Sequence, residues 1–347
     1  MDLRLILVWT EQCGLPLTVA ALLLVVAETT WLGWGAKGAL LVAAVPHVLI
    51  LGRWTPLWTA RVPCAALTAI PLDLAVGPVP ESLFAIPALP ATANPGAWAT
   101  FGAAGAAWLL AGFYATTLVG LVNGLRPPSG EPVRLASPLG PGRYLVIAGG
   151  RGEAINPHIR CLRDRRLARM RGQAYATDIL GLDRHGAIAA SPVSRAPLDC
   201  AISGRRVVAP ADAIVAAASD GVPDEPQSGA LGEEPADPAG NHVWLQYGAV
   251  RVLLAHLKRG TIAVAPGQTV RAGDHLGEVG NSGNSTEPHL HIHVQRPGLR
   301  RYPMAARPLP FTIEGIGPLH RQLRFVVPPD GAPPRQEGIR WPGIGAP

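Results

Sequence analysis

The segment Pro288-His289-Leu290-His291-Ile292-His293-Val294 constrains the fold more than any other stretch of this chain. Side chains alternate across a β-strand, so imidazoles at i, i+2 and i+4 share one face. Leu290, Ile292 and Val294 share the other, which predicts a strand with an apolar core face and a histidine face. A turn-rich run, Gly280-Asn281-Ser282-Gly283-Asn284-Ser285, stands just before it. The chain has 10 histidines, and three within five residues argue for chemistry over a solvated strand edge. Imidazole is the commonest metal ligand and carries protons near neutral pH. The segment reads as half of a metal site.

The N-terminal third has a different character. Only 16% of the 347 residues are charged, against roughly a quarter in a typical soluble protein, and mean hydropathy is +0.22. No ionisable side chain other than histidine lies between Lys37 and Arg53, and no charged one between Glu81 and Arg126. Leu15 to Gly35, Gly38 to Leu51 and Gly96 to Leu125 are candidate spans, since a helix needs roughly 20 apolar residues to cross a bilayer. Val62 to Val79 is a weaker fourth, interrupted by Pro63, Pro71 and Asp73. These segments lack the polar face of buried helices in a soluble protein, and their recurrence disfavours a cleaved signal peptide. Residues 1–126 are therefore expected to be an α-helical transmembrane region with three helices, or four, lying in the lipid bilayer. Arg4, Arg53 and Arg61 mark the cytoplasmic side by the positive-inside rule, with Lys37 against it. Three crossings then put everything after Arg126 outside the cytoplasm, and a fourth reverses that.

Net charge is +6, carried by dispersed arginines. No basic stripe interleaved with aromatics appears, so nucleic acid is excluded as a partner, whereas weak attraction to an anionic surface fits. Residues 127–143 read as a Pro/Gly-rich linker. From Tyr144 the pattern turns β-rich, with short aliphatic runs at Tyr144–Ala148, Ala174–Leu180, Arg206–Ala209, Ala213–Ala218, His242–Tyr247, Arg251–His256, His275–Val279 and His289–Val294. Glycine and proline punctuate them, which predicts a mainly β, antiparallel domain over 144–318. Helical periodicity is weak outside Arg160–Arg171. Ser219–Gly240 carries six acidic residues and no basic one, as a solvated insertion or a rim over a groove. Residues 319–347 read as a Pro/Gly/Arg-rich tail. Cys161 and Cys200 fall in the soluble part, as a disulfide or as two free thiols.

Several of these runs carry a resemblance. Val207-Val208-Ala209-Pro210-Ala211-Asp212, His256-Leu257 after an aliphatic strand, Pro266-Gly267-Gln268-Thr269-Val270-Arg271-Ala272-Gly273-Asp274, Gly280-Asn281-Ser282-Gly283 and Pro288-His289-Leu290-His291 follow in an order and spacing similar to the lysostaphin-type (LytM-like) zinc endopeptidases. The match covers roughly Ile147 to Val294, and implies a β-sheet fold related to barrel-sandwich folds. It also implies Zn2+ held by two histidines and one aspartate, with two further histidines beside it. Carried across, His291 resembles a zinc ligand, His289 and His256 the catalytic histidines, and Asp178, in Gln173-Ala174-Tyr175-Ala176-Thr177-Asp178, the carboxylate ligand. The family commonly places its first histidine four residues before that aspartate, where this chain has Ala174. His158, in Ile155-Asn156-Pro157-His158, is the nearest substitute, since a variant of the family has Asn and His ahead of a Gln-x-Tyr-Ala-x-Asp segment.

Such a set is chemically sufficient. Catalytic zinc typically takes three protein ligands and keeps a position for water, whose pKa it lowers. His256 and His289 would serve as general base and oxyanion donor, replacing the glutamate of His-Glu-x-x-His enzymes, a motif absent here. Each residue also has a bland role: Asp178 as a strand-end carboxylate, His256 as a core histidine, Asn156 as a turn former, His293 as a support for the site or a solvent-facing residue. His47, His242 and His275 carry no assigned role.

The expected protein is a multi-pass component of the cytoplasmic membrane with its peptidase domain outside, hydrolysing peptidoglycan peptides. One alternative is a catalytically inactive relative that binds peptidoglycan or regulates a partner hydrolase. Another is a lipoyl- or biotinyl-type carrier, disfavoured because Lys258, the domain's one lysine, lies two residues after His256 and not at a hairpin tip.

Overall fold

In the computed structural model, residues 119–189, 200–224, 237–299 and 301–337, with 108, 109, 112 and 115, are described. The chain divides into two compact units, Met1–Val122 and Asn123–Pro347. The expected spans Leu15–Gly35, Gly38–Leu51 and Val62–Val79, with His47 and most of Gly96–Leu125, lie outside the described residues, as does the middle of the acidic loop. Residues 119–125 are helical. Among the described residues, no helix is long and apolar enough to cross a membrane.

The second unit is mainly β and antiparallel. Its strands are β1 (Val133–Leu135), β2 (Gly142–Ala148), β3 (Thr177–Leu182), β4 (Arg206–Val208), β5 (Ala213–Ser219), β6 (Asn241–Tyr247) and β7 (Val250–Leu257). There follow β8 (Thr269–Val270), β9 (His275–Glu278), β10 (Leu290–Gln295), β11 (Pro308–Leu309), β12 (Phe311–Ile313), β13 (Gly317–Pro318), β14 (Arg324–Val327) and β15 (Arg335–Gln336). The main sheet runs β15-β14-β2-β3-β10-β7-β6-β5-β8, with β11 paired to β10. Two smaller sheets, β4-β9 and β1-β12-β13, cover one of its faces.

The core between these layers is aliphatic. Leu290, Ile292 and Val294 of β10 pack there with Val252 and Leu254 of β7, Val243 and Leu245 of β6, Val207 of β4 and Leu276 of β9. Each is worth roughly 1.5–3 kcal/mol relative to exposure. Every residue of β10 is buried, so the histidine face is covered as well. The stretch Arg160–Arg171 falls within two 3-10 segments, Pro157–Leu162 and Arg165–Tyr175, the second kinked at Met170. The second of them contacts β10 and β11, and the first packs on the second.

Three strands, β1, β14 and the two-residue β15 that pairs with β14, arise where the sequence reads as linker and tail. Val133-Arg134-Leu135 pairs in parallel with Phe311–Ile313. Arg324–Val327 pairs with β2, where Phe325 is fully buried against Tyr144, ring centroids 5.2 Å apart. Neither β1 nor β14 alternates for long enough to signal a strand alone; buried cross-strand partners stabilise both.

Candidate metal centre

β10 lies antiparallel between β3 and β7, and register brings the polar groups together. His291 stands opposite Asp178 on β3 and opposite Ala255 on β7. Its Nδ1 comes to 3.0 Å from Asp178 Oδ1 across 113 residues of sequence. His289, two residues earlier on the same face, puts Nε2 3.7 Å from the same oxygen.

His256 reaches this face through a bulge. In a regular strand the residue after Ala255 would point into the core. Val243 pairs with Leu254 but Asn241 with Leu257, so β7 carries one extra residue there. His256 absorbs it with φ of 62°, a left-handed conformation rare for a side chain with a Cβ. The imidazole thereby turns to the histidine face, with ring centroids 4.7 Å from His289 and 5.6 Å from His291.

His158 arrives from a 3-10 turn whose cap is Asn156. The Asn156 side chain accepts from the His158 backbone N–H at 3.2 Å and donates to the carbonyls of Gly150 and Ala176 at 3.0 and 3.1 Å. Ala176 sits two residues before Asp178, so one fully buried amide locks the histidine turn to the carboxylate strand. His158 Nε2 then stands 3.0 Å from Asp178 Oδ2.

Hydrogen bonds to carbonyls assign the protons of the other two imidazoles. His256 Nδ1 donates to the Ser282 carbonyl at 2.8 Å, and His289 Nδ1 to the Glu287 carbonyl at 2.8 Å. A carbonyl only accepts, so each neutral ring keeps a bare Nε2. Ser282 is itself fixed: its hydroxyl donates to the Leu257 carbonyl and accepts from Asn241 N–H. Gly283 and Gly240, at φ of 76° and 59°, let the two loops approach where any Cβ would strike backbone. The Gly-Asn-Ser run marks a turn in the sequence, but these carbonyl acceptors have no sequence signature.

Burial pushes the Asp178 carboxyl up, but attraction to His158 and His289 and the bonds from His158 and His291 outweigh it, leaving the group well below the usual carboxylate range. Burial, reinforced by repulsion from His289 and His291, holds His256 well below the usual histidine range. The centre thus combines a charged carboxylate with a neutral His256 ring near pH 7.

The donor chemistry fits a metal. His158, Asp178 and His291 each offer one atom, all within 4.8 Å of one another. Two imidazoles and a carboxylate are the composition of a three-ligand catalytic zinc site. His256, His289 and His291 form a second such trio sharing His291. All five residues singled out in the sequence therefore converge. His293 is fully buried, which removes its solvent-facing reading. Cys161 and Cys200 do not form a disulfide with each other.

Residues 198–303 match the family described as Peptidase family M23. That stretch contains His256, His289 and His291 and leaves His158 and Asp178 outside. Among solved structures, the chain resembles the catalytic domain of the antimicrobial peptidase lysostaphin from Staphylococcus simulans, at 19% identity over 37% of this chain and 71% of that one, TM-score 0.24. It also resembles a putative peptidase M23 from Pseudomonas aeruginosa, at 19% identity over 53% of each chain, TM-score 0.26. A zinc-containing peptidase from Vibrio cholerae matches at 18% identity over 54% of this chain and 38% of that one, TM-score 0.22. No curated protein sequence matches.

Proposed function

We propose that this chain is a membrane-anchored zinc metalloendopeptidase that hydrolyses peptide bonds of cell-wall peptidoglycan. One observation carries the reading: His158, Asp178 and His291 converge as a three-donor set beside two imidazoles with bare Nε2 atoms. The match of residues 198–303 to a peptidase family supports hydrolysis and the substrate class. The uncharged segments before Arg126 support a multi-pass anchor in the cytoplasmic membrane, and Arg4, Arg53 and Arg61 support an outer location for the β unit.

His158, Asp178 and His291 would hold the ion, and Zn2+ there would polarise a scissile carbonyl and lower the pKa of a water toward neutrality. The chain's own groups move the protons. His256, neutral and bare at Nε2, accepts the proton of the attacking water and returns it to the leaving amine. His289, the second imidazole beside the three donors, stands where the developing oxyanion would be stabilised.

The test uses the full chain in detergent with equimolar zinc and purified peptidoglycan, reading newly released amino groups. Release should stop with a chelator and fall by about 10²-fold or more in His289→Ala and Asp178→Asn. A chain that binds zinc stoichiometrically yet releases nothing would overturn hydrolysis. A peptide-binding module would remain, the reading favoured by Ala174 standing where the family has a ligand. Alkaline phosphatase fused after Pro347 should be active, as the outer location requires; an inactive fusion overturns that location.

A further inference from the structure

The turn that carries His158 is anchored from outside the centre. Asn156, its cap, donates to the Gly150 carbonyl at 3.0 Å and accepts the His158 N–H at 3.2 Å. The Asn156 main-chain N–H donates to the Gly152 carbonyl at 2.8 Å, and that of Ile155 to the same carbonyl at 3.2 Å. The placement of His158 therefore depends on where the loop Gly149-Gly150-Arg151-Gly152 lies.

Arg151 ties that loop to the helical run 119–125. Its main-chain N–H donates to the Gly124 carbonyl at 2.8 Å, and its Nε to the Asn123 carbonyl at 3.0 Å. The last carbonyls of a helix have no partner within it, and a basic side chain commonly satisfies them. Glycines let the two backbones touch. A Cβ on Gly152 would stand 2.6 Å from Gly124 Cα, and one on Gly124 would stand 3.0 Å from Gly152 Cα and 3.2 Å from the Ile155 side chain. Gly150, at φ of 90°, would drive a Cβ into the Gly124 carbonyl. Gly124, Gly150, Ile155 and Asn156 are all buried. Packing this close has no gap to absorb movement. Displacing Gly124 displaces the two carbonyls on which Asn156 depends.

We propose that Asn123, Gly124 and Arg151 form a strap that positions His158 through Gly150, Gly152 and Asn156. The strap lies where the second unit begins, so the first residues of that unit are coupled to a ligand of the candidate metal centre. Its members are positioning residues, acting on the ion only through His158. The proposal rests on the reading of His158 as a ligand. Groups that orient a metal-bound histidine from outside typically carry a 10–100-fold share of metal affinity.

Three variants of the full chain in detergent test it. Gly152→Ala forces a Cβ against Gly124 and should lower zinc affinity about 10-fold, read by competition with a chromophoric chelator. Arg151→Met removes only an exposed guanidinium and its bond to Asn123, and should lower affinity roughly 2–10-fold. Gly315→Ala is the control, equally crowded against Pro334 but in the turn between β12 and β13. It should lose urea stability and keep its zinc affinity. In the chelator-treated chain, amide exchange over residues 155–162 should quicken in Gly152→Ala and Arg151→Met, and match wild type in Gly315→Ala. Wild-type exchange in both strap variants, or an equal rise in Gly315→Ala, overturns the strap. Quickened exchange with unchanged zinc affinity overturns its role toward the ligand. Failure of wild type to bind zinc removes the ligand reading instead, and exchange still decides whether the strap holds the turn.

Discussion

His158 Nε2 lies 3.0 Å from Asp178 Oδ2, although one residue comes from a 3-10 turn and the other from a buried strand. The Asn156 side chain makes that closeness possible by bonding to His158 N–H and to two carbonyls at once. Asn156→Ala should therefore strand the Gly150 and Ala176 carbonyls and loosen the cap. The expected cost is roughly 1–3 kcal/mol of stability, read from urea denaturation. Zinc affinity should drop in the same variant, since His158 loses its tether. Unchanged affinity would show that the turn holds its position without the amide.

The bulge at His256 makes a separable prediction. A φ of 62° costs a residue with a Cβ roughly 1–2 kcal/mol, and costs glycine little. His256→Ala and His256→Gly should both be inactive, because each lacks the proposed base. The glycine variant should nevertheless be the more stable of the two, by about 1 kcal/mol, in paired urea titrations. The usual order, alanine above glycine, would mean that the strain is absent.

These two residues show how much of the centre could be read in advance. The histidine face of β10 follows from period-two alternation, so His289 and His291 are legible directly. Asp178 and His256 are legible only through resemblance, because nothing local distinguishes them from a strand-end carboxylate and a core histidine. The turn of His256 onto the polar face depends on a register slip between β6 and β7, which no run of residues announces. His158 stands beside Asp178 although no spacing in the sequence requires it, and only the path of the 3-10 turn brings it near. Of the fold, the eight β runs from Tyr144 to Val294 are legible. β1 and β14 are not, since proline and glycine surround them and their stability comes from Phe311 and Tyr144 across the sheet.

Cys161 tests the packing beneath the His158 turn. Its thiol is buried beside Gln173, 3.6 Å from the amide Nε2, and burial pushes it above the usual thiol range. Thiolate is the reactive form, so alkylation at mildly alkaline pH should be slow in the native chain and fast in urea. Peptide mass spectrometry would follow Cys161 separately from Cys200. Rapid native labelling of Cys161 would contradict the packed turn.

Burial of neutral imidazoles also sets how metal-free stability responds to pH. His256 and His293 are both held well below the usual histidine range, mainly by burial and then by neighbouring imidazoles. Above the unfolded value of about 6.5 both states are neutral, and their contribution is fully present. Below it the unfolded chain binds protons that the folded chain refuses, so stability falls as pH drops, by up to about 1.4 kcal/mol per pH unit for each ring. Asp178 has the opposite chemistry but the same direction: its depressed carboxyl stabilises the fold above about pH 4 and loses that contribution only in stronger acid. Between about pH 7 and pH 5 the histidines therefore dominate. Urea midpoints of the chelator-treated chain at about pH 7.5, 6 and 5 should decline steadily. A flat profile would mean that the buried rings accept protons in the folded state, and that His256 is not kept as a neutral base.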